Sequence, residues 1–205
     1  TTQKFTLGED GGGFNVTGNT LTITKPVTGG SKPVFKKGSG TLNFASTAVN
    51  NNFGVFTVEA GTIQCEPDYN TGTTTFKDTL VLRNGTTLRH NNGTGSYNTD
   101  VTKIKINSGS AKWYLDGRCN YLNKLFGAGT LVLYPQDNIS RTMLQLTGDD
   151  FTGIVDMEVN GSNANLNGYD GYLLNLPNGT LNLGSGFTLH TQNVQDGKTT
   201  NIKVA

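Results

Sequence analysis

The stretch "KKGSGTLNF", Lys36 to Phe44, reads as a glycine turn that feeds an alternating strand. The chain writes the phrase again as "GAGTLVL" at Gly127 to Leu133 and, more loosely, as "NGTLNL" at Asn178 to Leu183. Glycines at the head of a strand recur at Gly40, Gly61, Gly85, Gly129 and Gly179, the first three spaced 21 and 24 residues apart. A period of about 20 to 50 residues is the mark of a stacked-repeat architecture. A coil of that length fits a parallel β-helix with two or three short strands per turn. One coil cannot bury its own apolar face, but a stack of them makes a continuous interior. Glycine would then sit where the chain bends through positive φ, with Asn at corners and Thr on strand faces.

Working outward, the same period-two pattern runs from end to end. "NTLTIT" (Asn19 to Thr24), "GVFTVEAGTIQC" (Gly54 to Cys65), "DTLVLRNGTTLRH" (Asp78 to His90) and "VTKIKINSGSAKWYLDG" (Val101 to Gly117) all alternate. No apolar stripe of helical period and length is present. Alternation assigns faces. Phe56, Val58, Ile63, Cys65, Ile104, Ile106, Ala111, Trp113, Leu115, Val155, Met157 and Val159 point inward. Lys103, Lys105, Lys112, Tyr114, Asp116, Asp156 and Glu158 point outward. Two all-β architectures suit the pattern: a single parallel β-helix over 1–205, and an antiparallel β-sandwich joined by hairpin turns such as Asn84-Gly85. The recurring phrase favours the β-helix.

Composition agrees. The chain has 205 residues, 28 of them Gly, and only 15% are charged, against roughly 25% in an average domain. Sixteen basic residues balance 15 acidic ones, so there is no electrostatic footprint for nucleic acid. No run approaches the roughly 18 apolar residues of a membrane helix, so no membrane insertion is expected. Thr1 opens no signal peptide, which suggests a mature chain or a segment of a longer surface protein.

The repeat halves carry a resemblance. Lys36, Gly38, Gly40, Thr41 and Leu42, followed by Phe53, Val58, Ala60, Gly61 and Thr62, resemble the autotransporter-associated β-strand repeat, K-x-G-x-G-T-L-x-L and then V-x-A-G-T-L. "GAGTLVL" and "DDFTGIVDMEVNGSNANL" (Asp149 to Leu166) resemble it again, with an extra segment, Tyr134 to Gly148, between them. The resemblance covers about a third of the chain. It implies a right-handed parallel β-helix in a secreted or surface-displayed bacterial protein, used as a passenger stalk or adhesive surface and without a catalytic signature.

Candidate chemistry is sparse. Asp156 and Glu158, two apart on a strand, share an outward face at about 7 Å, a spacing within the range of inverting glycosidases; an ordinary solvated face explains them as well. Tyr114, Asp116, Arg118, Tyr121 and Tyr169 combine rings and polar groups as sugar-binding faces do. His90 and His190 end strands and read as surface turn residues. No G-x-S-x-G elbow is present, no metal-binding spacing of acids or histidines, and no cofactor motif. Partners in keeping with this reading are glycans or surface proteins of a host or the environment. The ends, with Phe5 and Leu7 at one and Ile202 and Val204 at the other, lack a polar cap and suggest end-to-end self-association. Cys65 and Cys119 lie 54 residues apart, roughly two coils, and are read as two buried thiols too distant for a disulfide.

Overall fold

The computed structural model describes residues 5–45, 47–48, 51, 53–66, 76–91, 101–116, 120–135, 143–158, 165–167, 174–184, 188–190 and 202–203. Within them the chain is a parallel β-solenoid with no helix. Every pair of named strands is parallel, which rules out the antiparallel sandwich. Two long sheets form its walls. One stacks eight strands, from Thr20–Ile23 through Thr41–Phe44, Thr62–Cys65, Thr87–Asn91, Ser110–Asp116, Thr130–Pro135 and Ile154–Met157 to Thr180–Leu183. The other has eleven strands and starts at Gly12–Asn15. Phe5–Thr6 pairs with Val27–Thr28 as a short third side.

Register defines the coil. Thr20 pairs with Thr41, Thr41 with Thr62 and Thr62 with Thr87, steps of 21, 21 and 25 residues, in keeping with the expected length. One inward column runs unbroken through the eight-strand sheet: Leu21, Leu42, Ile63, Leu88, Trp113, Leu133, Met157 and Leu183. In "GSGTLNF" the first apolar residue, Leu42, stands in this column. In "GAGTLVL" it is the second, Leu133. The later phrase is therefore offset by two residues from the earlier one. A slip of two keeps every side chain on its face, whereas a slip of one would turn the core outward. The change is made in two single-residue steps: the column residue follows its glycine by two at Gly61, by three at Gly85 and by four at Gly109. Thr86, in the first step, is fully buried and donates its hydroxyl proton to the Arg83 carbonyl at 2.6 Å.

The turn chemistry divides between two causes. Gly61 has φ +71°, a backbone that glycine alone adopts without strain. Gly40 shows no positive φ; a Cβ there would stand 2.7 Å from the Gly18 carbonyl oxygen, so close packing of successive turns dictates glycine. Beside both lies Lys36, buried on the inward side of its strand. Its ammonium donates to the carbonyls of Gly38 and Gly40, each at 2.5 Å, and of Ala60 at 2.8 Å. A Cβ on Gly61 would collide with Lys36 Nζ. One cation thus ties a turn to the next turn above it, and the spacing K-x-G-x-G with a later A-G is the pattern of that staple. Burial pulls the Lys36 ammonium below the ordinary lysine pKa.

Above the staple, four phenylalanines interlock. Phe44 packs edge-on to Phe56 and Phe76 with ring centroids 6.0 and 5.7 Å apart, and Phe56 meets Phe76 at 5.1 Å. Phe53 tilts against Phe56 at 5.5 Å. Asn51, in the run Asn50-Asn51-Asn52, is fully buried. Its Oδ1 accepts from the Val27 N–H at 2.7 Å and its Nδ2 donates to the Ala48 carbonyl at 2.7 Å, so a side chain satisfies backbone groups that no strand reaches.

Candidate binding face

The outward surface of the eight-strand sheet carries most of the chemistry in the described residues. Strand alternation brings alternate side chains to this face, and parallel register stacks them in columns about 4.8 Å apart. One column reads Thr22, Asn43, Gln64, Arg89, Tyr114, Tyr134. The next reads Thr87, Lys112, Val132, Asp156, Asn182. Tyr114 and Tyr134 are half-buried and stack in parallel, with centroids 4.8 Å apart and planes within 12°. Lys112 holds its ammonium 5.9 Å from the Tyr134 ring centroid, a cation–π distance. Arg89 and Lys112 are exposed; Asp156 and Glu158 are half-exposed. The Glu158 N–H donates to the Leu133 carbonyl at 2.9 Å, which continues the ladder and sets Glu158 next to the Tyr134 rung.

Of the residues picked from sequence, Tyr114, Asp156 and Glu158 come together on this face. Asp116 lies at the end of the same strand as Tyr114 with its backbone paired to Asn91. Tyr121 belongs to the other sheet, where its backbone pairs with Leu144. Arg118 and Tyr169 lie outside the described residues, as do Cys119 and Val159. Tyr134 was missed. Its signal was available only through register: it falls one coil after Tyr114, at the end of "TLVLY". The acid pair stands on an open strand face. The shallow groove near Gly13, Phe14, Asn15, Phe35 and Lys37 belongs to the other sheet and does not enclose it. Among the described residues no group of three His, Cys, Asp or Glu side chains is arranged to hold a metal ion, and no helix is long and apolar enough to cross a membrane.

The expectation for His90 is overturned. It is fully buried, not a surface turn residue. Its Nδ1 accepts a hydrogen bond from the Trp113 indole N–H at 2.8 Å, and the two rings lie 5.6 Å apart. The alternation of "TLRH" carries the reason: Leu88 is inward, so His90 is inward too. Burial pushes the His90 pKa down to about 3, and an acceptor role at Nδ1 requires the neutral ring. The side chain of His190 lies outside the described residues. Cys65 is buried as expected; its column continues to His90 and then Leu115, so two coils separate it from the strand that precedes Cys119.

No protein-family model matches the chain, and no curated protein or solved structure is significantly similar to it.

Proposed function

We propose that the chain is a structural and adhesive rod segment of a secreted or surface-displayed bacterial protein, without catalysis of its own. The observation that supports this reading is the outward face of the eight-strand sheet. Its columns run unbroken from rung to rung, with Arg89, Lys112, Tyr114, Tyr134, Asp156 and Glu158 on neighbouring rungs. A surface of this kind engages partners by many weak, repeated contacts, whereas a reaction needs a concave, water-excluding site. The test is adhesion of the purified protein to immobilised glycans and to extracellular matrix proteins. Tyr114→Ala with Tyr134→Ala should reduce adhesion at least tenfold while leaving the melting temperature within a few degrees. Adhesion that survives the pair unchanged would remove this face from the reading.

Glycan recognition is the second reading, favoured by the tyrosine pair beside Lys112 and the acids. The stack uses one face of each ring on the other, so a sugar would meet ring edges, hydroxyls and the outermost faces toward the Arg89 and Glu158 rungs. Polysaccharide cleavage that disappears in Asp156→Asn/Glu158→Gln would overturn the non-catalytic assignment.

A further inference from the structure

The outward face of the eleven-strand sheet changes character along the rod. Early on, its charges alternate in sign: Lys37 and Glu59 form an ion pair at 3.5 Å. At the strands Val101–Lys105 and Asn120–Phe126 the alternation stops. Register sets Lys103 directly beside Lys124, and Lys105 directly beside Phe126. Ile104 and Leu125, between them on each strand, are fully buried, so all four of these side chains turn outward. The three lysines are exposed and Phe126 is half-buried. The result is a two-by-two grid, about 4.8 Å from rung to rung and about 7 Å along each strand. Cations hold three corners and an aromatic ring the fourth.

Like charges directly opposite one another destabilise a sheet, and Lys103 and Lys124 stand opposite with no counter-charge. Lys37–Glu59 is the one ion pair among the described residues. Asp78 precedes Thr79, the residue that pairs with Lys103. Its Oδ1 accepts the Thr79 N–H at 2.7 Å and the Thr79 hydroxyl at 3.2 Å, and it makes no ion pair with the grid. A local rule broken without compensation inside the chain is the mark of a functional surface. The chain as a whole is nearly neutral, with 16 basic and 15 acidic residues, so this excess of positive charge is local. Its chemistry narrows the partner. A nucleic-acid strand carries its charges about 3.4 Å apart, closer than the rungs, and single-strand binders offer several stacking rings. Lysine is a point charge that suits a lone carboxylate. One flat apolar ring beside such charges suits the C–H face of a sugar.

We propose that Lys103, Lys105, Lys124 and Phe126 form a binding site for a linear acidic polysaccharide, a chain of uronic acids with one carboxylate on each sugar. The chain lies along the rod axis, with successive carboxylates on Lys103 and Lys124 and a sugar ring over Phe126. This goes beyond the adhesive reading. The grid is on the other sheet, and it does not depend on what the Tyr114 and Tyr134 face binds.

Calorimetric titration of the intact chain with polygalacturonate at low ionic strength is expected to show binding that weakens as salt is added, because salt screens exposed charges. Lys103→Gln combined with Lys124→Gln removes both charges and keeps polar, exposed side chains. Affinity should fall by about tenfold or more, while the melting temperature stays the same or rises slightly as the repulsion is relieved. Lys103→Arg with Lys124→Arg restores the charges and should restore binding. Phe126→Leu keeps an apolar side chain without a flat ring and should weaken binding several-fold. Tyr114→Ala with Tyr134→Ala, which probes the adhesive face, should leave this affinity unchanged. Loss of binding in the tyrosine pair and not in the lysine pair would move the site to the other sheet and overturn the proposal. Single-stranded DNA and phosphatidylserine vesicles are the competing polyanions. Either one binding as tightly as polygalacturonate overturns the assignment to an acidic sugar chain, and so does the absence of polygalacturonate binding.

Discussion

Lys36 and His90 show how single buried polar residues set the terms of this fold. Removing the Lys36 ammonium takes a donor from three carbonyls of two successive turns; that of Gly40 keeps the Thr62 N–H, and each buried carbonyl left without a donor costs about 1–3 kcal/mol. Part of that is offset, because a desolvated charge is removed as well. Lys36→Met is therefore expected to destabilise by about 2–3 kcal/mol in urea unfolding; a variant within about 0.5 kcal/mol of the parent would show the staple to be idle. His90 makes stability depend on pH. Its folded pKa is about 3, against about 6.5 when unfolded. Above the higher value both states hold a neutral ring and stability is full. As pH falls, the unfolded chain takes up a proton that the folded chain refuses, so stability declines by up to about 1.4 kcal/mol per pH unit until pH nears the folded value. His90→Gln keeps an acceptor for the Trp113 indole but does not titrate. Its stability between pH 6.5 and 4 should be flatter than that of the parent by the same slope, and an unchanged difference across that range would exclude His90 as the titrating group.

At the scale of the strand, alternation carries nearly all the information. Ile104, Ile106, Trp113, Val155 and Met157 are buried and Lys103 and Lys105 exposed, because a period of two leaves each side chain only one face to occupy. His90 obeyed the same period and was misassigned by weighting its residue type over its position. The two-residue offset between "GSGTLNF" and "GAGTLVL" was not legible, since a slip of two leaves the pattern of faces unchanged. Tyr134 was hidden for that reason: without register, nothing set it beside Tyr114. The staple was half legible, as a Lys at fixed spacing from glycines, but its inward direction reverses what is expected of a charged residue. The phenylalanine cluster gives the element-scale prediction. Phe56→Ala should cost about 3–5 kcal/mol, since Phe44, Phe53 and Phe76 all lean on that ring. Asp156→Asn/Glu158→Gln, on the outer face of the other sheet, should stay within about 0.5 kcal/mol by the same unfolding assay.

The whole molecule is a one-dimensional stack, in which each coil is stabilised by its own core and by contact with the coils on either side. Its interior is not uniform along the axis. The coils around Phe44, Phe53, Phe56 and Phe76 are held by aromatic packing and by the uncharged Asn51 bridge. The neighbouring pair of coils, at Thr87–Asn91 and Ser110–Asp116, is joined inside by the His90–Trp113 hydrogen bond. Of these interior contacts, acid acts on the second and not on the first; the Asn43–Glu66 hydrogen bond and the Lys37–Glu59 ion pair lie on the outer faces. Lowering the pH from 7 to 4 should therefore reduce hydrogen-exchange protection first in the amides of Thr87–Asn91 and Ser110–Asp116. Those of Val34–Lys37, Thr41–Phe44 and Thr62–Cys65 should keep most of theirs, after correction for the intrinsic pH dependence of exchange. In a globular core a proton on one buried histidine would weaken the whole cooperative unit together. In a stack, the loss stays near the rung that carries it, because distant rungs share no contacts with it. A uniform fall in protection across all strands would show that the rod unfolds as one unit and that the coils are not energetically separable.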